Sequence, residues 1–230
     1  MRMFLSMFCV LALCASVATA DNLAPPEWYD DGNPTNTFQA WEFCDEATWQ
    51  DPTLVDNPFG EPCASATQGG TWLDQWSYPQ AGYDLRQGVL VADSPGDMLQ
   101  VFIPNDEDLT QYKEIQIQLT LATLNQEFIS NVTGGFDVEY CTLGITPDIQ
   151  QTGEPQVTVL GDGWLHVVDN WRIEPQPDCE WYWVELGDTW PEGVPLVVDE
   201  VVVHTRCVPE PSTLWLLGAG ALGLLVWRRK

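Results

Sequence analysis

Basic side chains are scarce in this chain. Its 230 residues carry 8 lysines and arginines against 34 aspartates and glutamates. Four of the eight lie at the ends, so the stretch between keeps only Arg86, Lys113, Arg172 and Arg206 against 33 acids, a formal charge of −29. A field of that sign repels phosphate backbones and anionic lipid, which excludes nucleic acid as a partner. Catalytic residue types are equally thin. There are 2 histidines, His166 and His204, both within strand-like patterns where a hydrogen-bonded structural histidine is the expectation. No Gly-x-Ser-x-Gly elbow, phosphate-cradling glycine loop, Cys-x-x-Cys pair or Cys/His cluster is present, so serine-hydrolase, P-loop and structural-zinc chemistry have no starting residues. Acid pairs suited to glycoside cleavage arise by chance among so many carboxylates. The expectation is a protein that is not an enzyme.

An uncharged apolar run of about 20 residues, the length of a stable membrane span, is also missing, but two shorter ones occur. Met1 to Ala20 has a basic Arg2, an apolar stretch from Met3 to Val17 and a small-residue Ala18-Thr19-Ala20 end, the pattern of a secretory signal peptide. Leu214 to Trp227 is uncharged and stops at Arg228, Arg229 and Lys230. Those three bases act as a membrane stop that holds the tail on the cytoplasmic side and leaves the preceding chain outside. The domain reading is residues 1–20 as signal, 21–207 as one folded domain and 208–230 as a C-terminal signal with its membrane segment at 214–227.

The order Pro209-Glu210-Pro211, apolar segment, basic end resembles the PEP-CTERM sorting tail of exported bacterial proteins. The resemblance implies an exosortase as processing partner. It also implies export through the inner membrane of a Gram-negative-type bacterium, transient anchoring there, and delivery to the cell surface or extracellular matrix. A structural or adhesive role alongside exopolysaccharide then follows as an expectation. Segments such as Asn33 to Phe43, Gly161-Asp162-Gly163-Trp164 and Val198 to Val203 are similar to those of poorly characterised PEP-CTERM sandwich proteins, which bring a fold and no activity.

Between the ends, Pro and Gly interrupt the chain every ten to fifteen residues or so, and the apolar pattern between them has period two. Ile115, Ile117, Leu119 and Leu121 alternate with Glu114, Gln116, Gln118 and Thr120, predicting a half-buried strand over 113–121. Further strands are predicted at 37–43, 89–92, 98–103, 136–143, 156–160, 164–169, 171–174, 180–186 and 197–205. The last carries valines on both faces and is expected to be central, and 89–92 with 98–103 reads as a hairpin across Ser94-Pro95-Gly96-Asp97. The fold class is all-β, an antiparallel jelly-roll-like sandwich flanked by a signal helix and a transmembrane helix.

Five cysteines remain in an exported domain, where disulfides form. Sequence does not select the pairing. The expectation joins Cys44 to Cys63 and Cys141 to Cys179 and leaves Cys207 over. Of 12 tryptophans, ten lie in the domain, and Trp181-Tyr182-Trp183-Val184-Glu185 is the sharpest cluster. If Tyr182 and Val184 face the core, Trp181, Trp183 and Glu185 form an outward glycan platform. If the tryptophans are core, the platform vanishes. Trp72 and Trp76 form a second candidate. Calcium takes six to eight oxygens, and a structural calcium held by Asp199 with Asp30 and Asp31 is the metal expectation. A lectin-like, calcium-dependent module is thus the alternative to the structural role, and a polysaccharide-active enzyme the third reading.

Overall fold

The computed structural model describes residues 22–30, 32–67, 71–76, 86–92, 97–106, 111–123, 136–141, 146–161, 163–185 and 196–209. The expected signal segment 1–20 and membrane segment 214–227 lie outside these, and no helix among the described residues is long and apolar enough to cross a membrane. The described chain is all-β. Its strands are β1 (Asn36–Trp41), β2 (Leu54–Asp56), β3 (Cys63–Thr67), β4 (Thr71–Trp76), β5 (Arg86–Ala92), β6 (Met98–Pro104), β7 (Gln111–Thr123), β8 (Phe136–Tyr140), β9 (Asp148–Gln151), β10 (Gln156–Gly161), β11 (Trp164–Glu174), β12 (Cys179–Glu185) and β13 (Leu196–Pro209).

All pairings are antiparallel and form two sheets. The larger holds nine strands along the path β10-β11-β7-β13-β1-β2, with β9 also on β11, and β4 on β5 beside β13. The smaller is β3-β6-β12-β8. Layers of nine and four strands differ from the eight-stranded pair of Greek keys that defines a jelly roll. The alternating residues of β7 explain the packing. Ile115, Ile117, Leu119 and Leu121 are buried between the sheets with Val201 and Val203 of β13, Leu165 and Val167 of β11, Trp41 of β1, and Val101, Tyr182 and Val184 of the smaller sheet. Each such aliphatic side chain, fully buried, contributes about 1.5–3 kcal/mol.

Three expectations change. β7 is not half-buried: Gln116, Gln118 and Thr120 on its other face are also buried. The segment before β1 lies across that face, with Ala24 N donating to Gln118 Oε1 at 3.0 Å and Gln118 Nε2 donating to Asn22 Oδ1 at 2.8 Å. β5 and β6 do not form a hairpin, because β5 joins the larger sheet and β6 the smaller. β13 is central as expected, but its register shifts between Val198 and Glu200. This bulge at Asp199 turns Val198 into the inter-sheet core and leaves Val197 in a small cluster with Val89, Ala122 and Trp164 on the other face. It falls where β13 changes partner from β5, at Leu196–Val198, to β1, at Val201–Arg206.

Candidate functional site

The outer face of the smaller sheet follows from the inner one. Tyr182 and Val184 are buried in the core, so the pleat sends Trp181 and Trp183 outward, where both are partly exposed. Cross-strand register then decides what stands beside them. Trp181 lies between Phe102 of β6 and Glu139 of β8, with Cys63 beyond Phe102. Trp183 lies between Gln100 and Asp137, with Ser65 beyond Gln100. The result is two parallel rows across four strands, an aromatic centre with exposed carboxylates Asp137 and Glu139 along one side.

The rings are stepped rather than coplanar. Phe102 and Trp181 have centroids 4.9 Å apart at 46°, and Trp181 and Trp183 are 6.5 Å apart at 47°. Ser65 Oγ donates to Gln100 Oε1 at 3.1 Å, which leaves the amide nitrogen of Gln100 as its donor end. Aromatic faces, an amide donor and carboxylate acceptors are the groups that hold a sugar: C–H bonds pack on rings and hydroxyls find polar partners. Glu185 continues β12 opposite Met98, but its side chain lies outside the described residues. Sequence reasoning missed Phe102, Gln100, Asp137 and Glu139 because non-local pairing supplies them. Their signal was the outward half of the β6 alternation, opposite Leu99, Val101 and Ile103.

The other expected residues are not brought into a site. Asp199 is ion-paired with Arg86 Nη1 at 2.8 Å. Asp30 lies at the far end of β13: its carbonyl accepts from Asn36 Nδ2, and Asn36 pairs with Arg206, seven positions from Asp199, roughly 20 Å along a strand. Asp199 and Asp30 therefore cannot share a calcium. Asp31 lies outside the described residues, among which no group of three or more His, Cys, Asp or Glu converges for a metal. Trp72 donates its Nε1 to Phe43 O at 2.6 Å and packs against the core, so it is a structural residue. The side chain of Trp76 is outside the described set.

Cys141 and Cys179 are bonded. Cys44 and Cys63 are not: both are free thiols, and Cys63 sits on the outer face of β3 beside Phe102. Burial pushes the Cys44 thiol up to about 11, reinforced by Glu42. Both histidines are buried beneath the segment before β1. His166 Nε2 is 3.1 Å from Gln118 Oε1, and His204 Nε2 is 3.1 Å from Asn22 Oδ1. Loss of solvation lowers His166 and takes His204 down to about 4. A concavity beside β2 gathers Asp51, Asp56 and Glu61 among prolines, but all three are exposed.

Of the sorting residues, Pro209 is the last residue of β13, opposite Gln111. Glu210, Pro211, Arg228, Arg229 and Lys230 lie outside the described residues. Residues 208–230 match the family model of the PEP-CTERM protein-sorting motif, so the chain carries that sorting motif directly after its folded domain. The motif implies export with membrane anchoring and processing by an exosortase. No curated protein matches the chain.

Proposed function

We propose that this exported domain is non-catalytic and holds a glycan on the outer face of its smaller sheet, giving the protein an adhesive role at the cell surface or in the matrix alongside exopolysaccharide. The observation that carries the reading is the stepped ladder Phe102–Trp181–Trp183, partly exposed on a fold whose other described tryptophan side chains are largely committed to packing or hydrogen bonds. Rings inclined at 46° and 47° offer no single plane. They suit a soluble or twisting chain that turns from one ring to the next, and not the flat face of a crystalline polysaccharide. Asp137 and Glu139 beside the ladder, within a domain of formal charge −29, favour neutral or amino sugars over uronates and sulfates.

The test is retention of the protein in gels or columns containing soluble neutral glycans, beside a Trp181→Ala, Trp183→Ala double variant with its thermal midpoint recorded. Two aromatic anchors removed from a small site lower affinity at least tenfold. Equal retention of the double variant and the parent, or no retention of the parent by any neutral or amino-sugar glycan, overturns the reading.

A further inference from the structure

One end of the core holds a polar pair that the glycan reading does not use. Lys113 projects from β7 in the larger sheet and Glu180 from β12 in the smaller, and both side chains are 0% exposed. Lys113 Nζ meets Glu180 Oε1 at 2.5 Å. Neither the nitrogen nor either carboxylate oxygen has another partner of hydrogen-bond geometry among the described residues. The neighbours in register are Cys207 and Ile173 beside Lys113, and Ile103 and Tyr140 beside Glu180.

As an ion pair this arrangement is poor. Buried charges persist when surrounding hydrogen bonds satisfy the remaining protons and lone pairs, and among the described residues those bonds are missing. Burial pushes the Glu180 carboxyl above its usual range against the opposing pull of Lys113, which favours the neutral acid, the form whose carbonyl carbon an amine attacks. Full burial also weakens the ionisation that makes the separated acid and amine the favoured state in water.

We propose that Lys113 and Glu180 become joined by an amide bond, a covalent cross-link between the two sheets. The Nζ–Cδ bond forms and one Cδ–O bond breaks. The oxygen leaves as water with two of the three exchangeable hydrogens of the pair, the third stays on the amide nitrogen, and nothing is oxidised or reduced. The product replaces a buried, under-bonded contact with one neutral amide. Its position gives it a use. Glu180 follows Cys179, which is bonded to Cys141, and Lys113 lies opposite Cys207, one residue before the matched motif begins. The cross-link would thus secure the end of the sandwich from which the tail departs.

Peptide mapping of the full exported chain tests this. Between Arg86 and Arg206 trypsin has only Lys113 and Arg172 to cut at. After reduction and alkylation, an unlinked chain yields 87–113, 114–172 and 173–206 separately. The cross-linked chain resists cutting at Lys113 and yields 87–172 joined to 173–206, lighter than the two together by one water, with fragment ions placing the junction at Lys113 and Glu180. A Glu180→Ala variant is cut at Lys113. Complete cutting at Lys113 in the parent overturns the proposal. So does a joined species that persists in Glu180→Ala, or one lighter by ammonia, which would place the acceptor at an amide such as Gln176.

Discussion

His204 makes acid stability a quantitative test of how the segment before β1 is held. Its Nε2 faces Asn22 Oδ1, and an amide oxygen only accepts, so Nε2 carries the proton and Nδ1 is bare. Nδ1 is buried with no partner among the described residues, and the rings of Tyr29 and Phe38 pack on the imidazole at 4.5 and 5.0 Å. A second proton therefore enters an apolar surround with no acceptor, which is why the group falls from 6.5 to about 4. The folded pKa lies below the unfolded one, so the unfolded chain binds more protons between these values. The stabilising contribution of neutral His204 is complete above pH 6.5 and is lost as pH falls toward 4. Between pH 7.5 and 5 the loss from this residue is about 2 kcal/mol. Asp169, raised by burial, acts in the opposite sense, so the comparison is made against a His204→Gln variant in which it is unchanged. Urea unfolding at the two pH values gives the numbers: the parent loses about 2 kcal/mol more than the variant over that interval. Equal losses would refute the assignment, since the imidazole would then be solvated in the fold.

Two further outcomes probe the fold that carries the site. Gly88 has φ +68, and a Cβ there would meet Phe43 O at 2.2 Å and Cys44 Cα at 2.6 Å. Gly88→Ala adds a left-handed non-glycine residue to an overlap with backbone, and lowers stability by about 3 kcal/mol or abolishes folding, read from the thermal midpoint. The Cys141–Cys179 bond spans 38 residues, so in the chain-entropy description a Cys141→Ser, Cys179→Ser variant is less stable by about 4 kcal/mol, measured in denaturant without reductant.

What the sequence reveals and what it hides divide along local and non-local lines. The alternation of Ile115 to Leu121 and the two-faced valines of β13 are local signals of strands deep in a sheet, and both elements stand where they were expected. The short strands β2 and β9 escape notice because they are exposed or polar: Leu54, Val55 and Asp56 are all exposed, and Asp148 to Gln151 is nearly so. β3 carries no large apolar residue to show a period, and in β4 the large residues Trp72, Leu73 and Trp76 do not alternate. The bulge at Asp199 is a property of two pairings meeting, and nothing within Val197-Val198-Asp199-Glu200 announces it. β5 and β6 flank a turn-forming sequence without pairing, since such a sequence permits its flanks to pair and does not require it. The same limit applies to the site. The outward turn of Trp181 and Trp183 was one of two arrangements that alternation allowed, whereas Phe102 and Glu139 flanking Trp181 required knowing that β6 and β8 are the neighbours of β12. Lys113 shares the alternation phase of Ile115 to Leu121, and Glu180 that of Tyr182 and Val184, which places both on core faces, but their pairing across the two sheets has no signature in one dimension.

An adhesive reading places two attachment points on different sheets. The glycan ladder belongs to the smaller sheet, and the tail continues from β13 in the larger one, whose final residues Val208 and Pro209 are still paired with Tyr112 and Gln111. No spacer separates the folded sheet from the sorting motif. A load applied while the tail is tethered therefore runs along β13, where the ladders to β1 and β7 resist it together in shear. It then crosses to β12 through the inter-sheet core. Apolar contacts resist that second step weakly, because hydrophobic burial is non-directional and lets faces slide. The weak step in the path is thus the sheet-to-sheet junction, and the Lys113–Glu180 contact sits on it, between the strand beside the tethered one and the strand that carries the tryptophans. An ion pair there would yield as the sheets slide and water enters, whereas an amide would not. Extension of the tethered protein, pulled through a bound glycan, separates these cases. An intact sheet pair up to the force at which the glycan releases is expected with the cross-link, and Glu180→Ala should shear open below it.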